Sequence, residues 1–551
     1  MCLLKSESSK LVFPLGEALL SEYVNKHASD MPEKVAINYY GREITYKELD
    51  QTSDCLAAAI SNLGYSKGDR LGIFLQPCPQ CVLLYLSCMK LGMIAVPIDP
   101  MSRDLELKYF LDDSGSRIIA TMDDLYPIVN AVKEKCGVKD VIVTSFHDYL
   151  LEKPVFPIHQ MMKAPKQTFE GTHEMLELIG KGKYIEKPSS LDVKLSDYGY
   201  ILYTGGTTGW PKGCVHTHKD LIYCGLGQSE INFNKSSSDH KILSSWPLTH
   251  ISGLTFSIAP TLLGGMTAFQ LARWDPIAAM EAIEKYRITI AAMAVPSYYD
   301  ILDHPNVKNY DLTSLRLSFI VPFARAISDD VVNRWEELTG CPVYDWGYGS
   351  SEHMNYCGYG YGLRFPRPLC STFSRPLPEV EIRIVDFETG RDLAEGEEGE
   401  IVTREPAQLK KYWNKPGETE RDIIDGWVHM HDRGYIKDGI LYFLGKVSDV
   451  VKVSGYTIAL KEVEIFCLEN PDVEKIAVIG VPDSKKGNVL KAFVVPRAGS
   501  QATAADIEAW CKEKLAVLKR PIVEIRTELP LSGKGDILKR ELIKEEEAMS
   551  K

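Results

Sequence analysis

Eleven residues, YTGGTTGWPKG at 203–213, place three threonine hydroxyls, four glycines and one lysine on a single short segment. Glycine lets backbone N–H groups approach a ligand closely and tolerates positive φ, and lysine adds a full positive charge. Bare amides, short hydroxyl donors and an ammonium together suit a polyphosphate. The spacing is not that of the loop G-x-x-x-x-G-K-[ST]. Trp210 and Pro211 separate Gly209 from Lys212, and Pro211 would disturb the helix that must follow such a loop. The segment reads as a nucleotide-phosphate loop of another kind, against the plainer alternative of a surface loop rich in glycine and threonine. Other chemistry-bearing clusters read more weakly. The histidines of VHTH (His216, His218) and HMH (His429, His431) have no third ligand cluster beside them, so neither pair reads as a metal site. Cys78 and Cys81 have redox spacing, but they lead into the apolar run VLLYLSCMKLGMIAVPI and read as buried packing.

The elements that must position the loop are α/β in rhythm. A chain of 551 residues is too long for one core and predicts at least two domains. A composition of 45% hydrophobic and 25% charged residues is that of an ordinary globular protein. The net charge of −12 leaves no basic surplus to neutralise phosphates, which argues against a nucleic-acid partner. The start MCLLKSESSK lacks the apolar core of a signal peptide, and no run approaches the length of a membrane helix, so no integral membrane segment is expected. Thirteen scattered cysteines in such a chain predict a reducing, cytoplasmic setting. KVAINYYGREITYKELD reads as a hairpin feeding a helix, with Thr45 as N-cap and Glu48 completing a capping box. RLGIFLQ, KDVIVTS and RITIAAMAV read as strands alternating with helical stretches such as LDQTSDCLAAAISNLG, which predicts largely parallel sheets covered by helices. The segment around 150–190 is proline-rich and aperiodic and reads as a connecting excursion. After DGILYFLGKVSD the character changes, and the pattern predicts a boundary near Ser448 that separates residues 1–447 from 448–551.

Taken with five further blocks, the loop resembles that of the ANL superfamily of adenylating enzymes, which includes acyl-CoA synthetases, free-standing adenylation domains and firefly-type luciferases. The blocks are WPLTHISG (246–253), YGSSE (348–352), GWVHMHDRGY (426–435), GKVSDVVKVSG (445–455) and LPLSGKGDILKREL (529–542). They occur in the family's order, and the likeness runs from about residue 20 to 545. The resemblance implies the ANL fold: a large N-terminal α/β domain hinged to a small, mobile C-terminal α+β domain. It also implies a reaction. A carboxylate attacks the α-phosphate of Mg·ATP to give acyl-AMP and pyrophosphate, work that rests on positioning and charge neutralisation.

On that resemblance, Thr204, Gly205, Gly206, Thr207, Thr208, Gly209 and Lys212 hold the β- and γ-phosphates, and Glu352 ligates Mg2+ with the hard oxygen that cation favours. Ser351 stands at the family's usual threonine. Trp346, Gly347, Tyr348 and Gly349 form the wall between the adenine and acyl sites, and Asp432 hydrogen-bonds the ribose in a setting, Met430–His431–Asp432, where relatives carry TGD. His250 lines the acyl pocket or is a satisfied core histidine. Val321, Pro322 and Phe323 replace a glycine-rich stretch and should narrow that pocket toward compact acids.

In the C-terminal domain, Lys452, Ser454 and Gly455 of VVKVSG would line the channel for the pantetheine of coenzyme A, and LKRPI (518–522) resembles the family's K-x-P turn. Departures cluster here. The hinge block, which in relatives begins Gly-Arg and carries an acidic residue or lysine three positions after the glycine, here has Lys446 and Ser448. In the last block Asp536 stands where the adenylating lysine belongs, with Lys534 two residues earlier as a candidate replacement amine. The sequence therefore reads as an AMP-forming acyl-CoA synthetase acting on a fatty or other carboxylic acid, with ATP and CoA as co-substrates, as monomer or homodimer. The alternatives are a ligase that loads a carrier protein and a weakened protein that binds nucleotide or acyl-CoA without turnover.

Overall fold

The computed structural model describes residues 3–6, 10–185, 192–204, 211–233, 238–322, 327–354, 356–365, 372–446, 450–453, 456–483, 487–515, 517–532 and 536–549. Two mixed sheets carry the first two-thirds of the chain. In the seven-stranded sheet the order is Val343–Asp345, Leu317–Val321, Ile290–Ala294, Lys241–Ser244, Thr267–Gln270, Val35–Tyr39 and Arg42–Thr45. All neighbours are parallel except the last pair, which is the hairpin foreseen at residues 35–45. In an eight-stranded sheet the strands Tyr198–Tyr203, Ile94–Pro97, Arg70–Phe74, Ile118–Met122, Asp140–Thr144 and His173–Glu174 run parallel. Gly213–Thr217 joins Tyr198–Tyr203 antiparallel, and Lys411–Tyr412 caps that edge.

A third, antiparallel sheet joins Leu3–Lys5 to strands between Gly358 and Lys446. One apolar core runs through residues 4–441. A second, through 453–523, belongs to a hairpin (Val450–Val453 with Tyr456–Ala459), the three strands Val473–Asp483, Gly487–Pro496 and Ile522–Ile525, and their helices. The expected α/β class and the two-domain plan are both present.

Local chemistry explains the elements that support the site. The helix Tyr46–Asn62 starts at Thr45, whose hydroxyl accepts the Glu48 N–H at 3.1 Å. The capping box does not close, because the Glu48 carboxylate is taken by the Arg42 guanidinium at 2.5 Å, a charge-assisted partner that the backbone amide cannot match. Helix Pro79–Leu91 is mostly apolar and buried along nearly its whole length, with proline in its first turn and Gly92 at φ 66° ending it. Cys78 and Cys81 sit buried at its start with sulfurs 4.0 Å apart, as packing rather than a disulfide. The segment read as a bare excursion contains a helix, Met175–Gly182, which buries Met175, Leu178, Ile179 and Gly182. Among the described residues, no helix is long and apolar enough to cross a membrane.

Candidate active site

The phosphate-loop segment joins two antiparallel strands, with Tyr203 facing Gly213 across the pair. A strand and not a helix follows Lys212, which is why Pro211 is tolerated there. The loop is pinned at its base. The Thr204 N–H donates to the Lys212 carbonyl at 2.9 Å, and the Lys212 N–H donates to Thr204 Oγ1 at 3.2 Å. The Tyr109 hydroxyl donates to the Pro211 carbonyl at 2.7 Å, and the Tyr203 hydroxyl donates to Asp113 at 2.7 Å. Gly205, Gly206, Thr207, Thr208 and Gly209 lie outside the described residues.

Lys212 does not reach into open solvent. Its Nζ lies 2.9 Å from Asp422 Oδ2, 3.6 Å from Glu418 and 4.1 Å from the centre of the Tyr412 ring. Asp422, with 1% of its side chain exposed, also receives Arg421 Nε at 2.6 Å and His431 Nε2 at 3.1 Å. Burial by itself would raise the Asp422 carboxyl, but hydrogen bonds from His431, Arg421 and Lys212 hold it far below the usual carboxylate range. His431 is shared with Glu400, whose Oε1 lies 3.3 Å from Nδ1 and accepts the His431 backbone N–H at 3.1 Å. Hydrogen bonds to Asp422 and Glu400 lift the imidazole to about 9. Glu400, raised by burial but held down by His429 and His431, falls to about 2. His431 also adopts φ 53°, a left-handed conformation that costs a non-glycine residue about 1 kcal/mol.

Glu352 lies in a single turn, Ser351–His353, capped by Ser350, whose hydroxyl oxygen accepts the Glu352 N–H at 3.1 Å. Its Oε1 accepts the Tyr412 hydroxyl at 3.0 Å and its Oε2 the Ser350 hydroxyl at 2.8 Å. Behind Ser350 the chain of contacts continues to His353 Nδ1 (3.1 Å), and from His353 Nε2 to Thr403 Oγ1 (2.7 Å). Tyr412 thus touches both the loop lysine and Glu352, which brings those two expected residues into one cluster. Ser351 turns its carbonyl to His216 Nε2 at 2.7 Å, giving that histidine a structural role. Among the described residues, no group of three or more His, Cys, Asp or Glu side chains is arranged to hold a metal by itself.

The expected adenosine residues also meet. The Tyr348 hydroxyl donates to Asp432 Oδ2 at 2.7 Å, both residues being buried, and the Tyr348 ring packs on Phe443. Gly347 adopts φ 116°, and a Cβ there would fall 2.1 Å from the Gly358 carbonyl, so no other residue fits. Gly349 continues that segment beside Ser350. The Trp346 ring packs 4.0 Å from Phe256, and Phe233 and Phe319 complete a four-ring group. Val321 ends the strand that carries Phe319, Pro322 follows it, and both are half-buried; Phe323 lies outside the described residues. His250 Nδ1 accepts the Ser252 N–H at 3.2 Å, as a satisfied half-buried histidine does.

In the C-terminal part, Lys446 and Lys452 lie on strands and their side chains are outside the description, as are Ser454, Gly455 and Lys534. Asp536 is exposed. Its N–H donates to Ser532 Oγ at 3.1 Å and its carbonyl accepts the Ser532 N–H at 2.7 Å. Sequence reasoning missed Asp422, Glu418, Tyr412 and Glu400. The acidic stretch PGETERD carried a signal, since a helix this acidic needs cations nearby.

The sequence matches the family described as AMP-binding enzyme over residues 24–413 and its C-terminal domain over 462–535. A long-chain-fatty-acid–CoA ligase of Bacillus subtilis is 32% identical over 543 residues, covering 97% of this chain and 95% of the relative. Among solved structures, an anthranilate CoA ligase in complex with anthranoyl-AMP superposes with a TM-score of 0.84 at 22% identity, covering 97% of this chain and 98% of that one. ATP-bound MatB from Rhodopseudomonas palustris superposes with a TM-score of 0.83 at 24% identity, covering 97% and 100%. At those identities the structures speak for the fold; the family match over residues 24–413 and the Bacillus relative, both spanning most of the sequence, show that this chain belongs to the AMP-binding enzymes.

Proposed function

We propose that this protein is an AMP-forming acid–thiol ligase. It joins a carboxylic acid to coenzyme A at the expense of ATP, in two half-reactions. In the first, a carboxylate oxygen attacks the α-phosphorus, the bond to the pyrophosphate oxygen breaks, and acyl-AMP remains. In the second, the CoA thiol loses its proton and attacks the acyl carbon, AMP leaves, and a thioester forms. The observation that carries this reading is the convergence of Lys212, Glu352 and Tyr412 beside the Tyr348–Asp432 pair. In this reading the groups assigned to phosphate, metal and ribose share one locality.

In this reading Lys212 and the loop amides neutralise the β- and γ-phosphates, and Asp432 takes the ribose hydroxyls. Glu352 fits a magnesium ion because its two oxygens are oriented by Tyr412 and Ser350. One carboxylate plus substrate phosphates and water is how that ion is usually held. Bound there, the ion would neutralise phosphate charge.

Residues 448–551 act as the mobile domain and bring Lys452, Ser454 and Gly455 to the thiol. The protein works in the cytoplasm, as a monomer or homodimer. The Bacillus relative's name points to long acids, whereas the packed rings of Trp346, Phe256, Phe319 and Phe233 beside Val321 and Pro322 support a compact one. Product analysis with acids from two to sixteen carbons and aromatic acids tests this. Acyl-CoA formed from none of them removes the proposal.

A further inference from the structure

Lys212 is held in this structure by an acidic group that no ligand would want there. Its Nζ is paired to Asp422 at 2.9 Å and faces Glu418 at 3.6 Å, so binding a polyphosphate requires the ammonium to leave a carboxylate whose side chain is 1% exposed. Leaving a buried carboxylate unpaired is strongly unfavourable. Asp422 is not left alone, however. Arg421 spans both of its oxygens, at 2.6 and 3.0 Å, and His431 Nε2 stays 3.1 Å from Oδ1, on the opposite oxygen from Lys212. Both cations reach water, the Arg421 side chain being 59% exposed and that of His431 53%, but His431 is also clamped from its other face by Glu400, which holds its ring in place.

We propose that His431 is a positioning residue for nucleotide binding: its imidazolium keeps Asp422 neutralised so that Lys212 can exchange that carboxylate for the phosphates of ATP. The proposal rests on the reading of Lys212 as the phosphate-loop lysine. His431 touches neither ATP nor the acid in this role. It acts through Asp422, and the strained backbone at φ 53° is what aims the ring at Asp422 while the next residue, Asp432, points to Tyr348.

The charged groups around the ring are Asp422 on helix Pro416–Asp422, Glu400 on strand Gly399–Arg404, and Arg421, His429 and Lys212, which share those two carboxylates. Two partners raise the imidazole to about 9, so it is charged at neutral pH and loses its charge as pH rises through that value. Above it, Asp422 retains Lys212 more firmly and ATP must compete harder.

The test is ATP binding by calorimetry to the full-length protein without acid or CoA, at pH 7 and pH 9.5, alongside steady-state kinetics. For His431→Gln the expected result is about tenfold weaker ATP binding at pH 7, a matching rise in the KM for ATP with kcat little changed, and loss of the pH 7-to-9.5 weakening expected of the parent protein. His431→Arg, which keeps a permanent cation, should retain tight binding at both pH values. In an Asp422→Asn background, His431→Gln should have no further effect.

His431→Gln binding ATP as tightly as the parent overturns the proposal. So does an equal loss in the Asp422→Asn background, which would mean that the imidazolium attracts the phosphates directly. Lys212→Met separates the two readings. If it leaves ATP binding intact, both the phosphate-lysine assignment and the proposal fall. If it weakens binding while His431→Gln does not, only the proposal falls.

Discussion

Replacing Glu352 by glutamine removes one negative charge and leaves almost everything else in place. The side chain keeps its length, and its two neighbours are hydroxyls, Tyr412 at 3.0 Å and Ser350 at 2.8 Å. A hydroxyl can rotate to accept from the new amide, so the fold should lose no more than about 1–2 kcal/mol, the scale of one weakened hydrogen bond. The catalytic loss is larger. A unit charge pair about 4 Å apart at an effective dielectric of about 20 is worth about 4 kcal/mol, roughly a factor of 10³. Water taking the vacated metal position restores part of that, so a fall of about 10²–10³ in kcat/KM is expected, with a raised magnesium requirement. AMP release measured against magnesium concentration, beside a thermal melt, reads both quantities. A folded Glu352→Gln variant with full turnover at ordinary magnesium would refute the assignment of Glu352 as the metal ligand.

Three further outcomes are expected. Asp536→Lys should accelerate acyl-AMP formation at least tenfold, since one well-placed donor of charge is worth about 10²–10³ in rate, while conversion of supplied acyl-AMP and CoA to the thioester stays unchanged; a variant that gains nothing while Lys534→Ala abolishes adenylation would make Lys534 the working amine. Pro322→Gly and Phe323→Gly should shift kcat/KM toward larger acids, by about 1–3 kcal/mol of discrimination per added group, and an unaltered ranking in a panel of acids would place those residues away from the acid. His218 is fully buried with neither ring nitrogen paired among the described residues, and burial lowers it to about 4. Because the unfolded chain binds the proton at 6.5, its contribution of about 3 kcal/mol is complete above that pH and is lost as pH falls toward 4; urea unfolding at pH 7.5 and 4.5 should show this loss, and His218→Phe should flatten it.

What the sequence disclosed was mostly local. The hairpin at 35–45, the strands at 70–74, 140–144 and 290–294 and the helix from Tyr46 all follow from short-range periodicity and turn residues. The helix Met175–Gly182 has buried positions at i, i+3, i+4 and i+7, a helical period too short to stand out beside the proline-rich stretch before it. The Lys212–Asp422 pair joins residues 210 apart, and His431–Glu400 joins residues 31 apart on neighbouring strands. No local pattern encodes either. The site was legible where a contiguous block carries it, as in YGSSE, and hidden where charge compensation is assembled from separate elements. Glu48 makes the same point in miniature, with its local capping role lost to Arg42.

The central claim is tested most directly by incubating the purified protein with ATP, magnesium, free CoA and a panel of acids, and quantifying AMP, pyrophosphate and thioester together. The account predicts one AMP and one acyl-CoA for each acid consumed, with thioester formation dependent on both the acid and free CoA. AMP release that needs no CoA and yields no thioester, or a folded protein that binds ATP but releases no AMP with any acid, would contradict it.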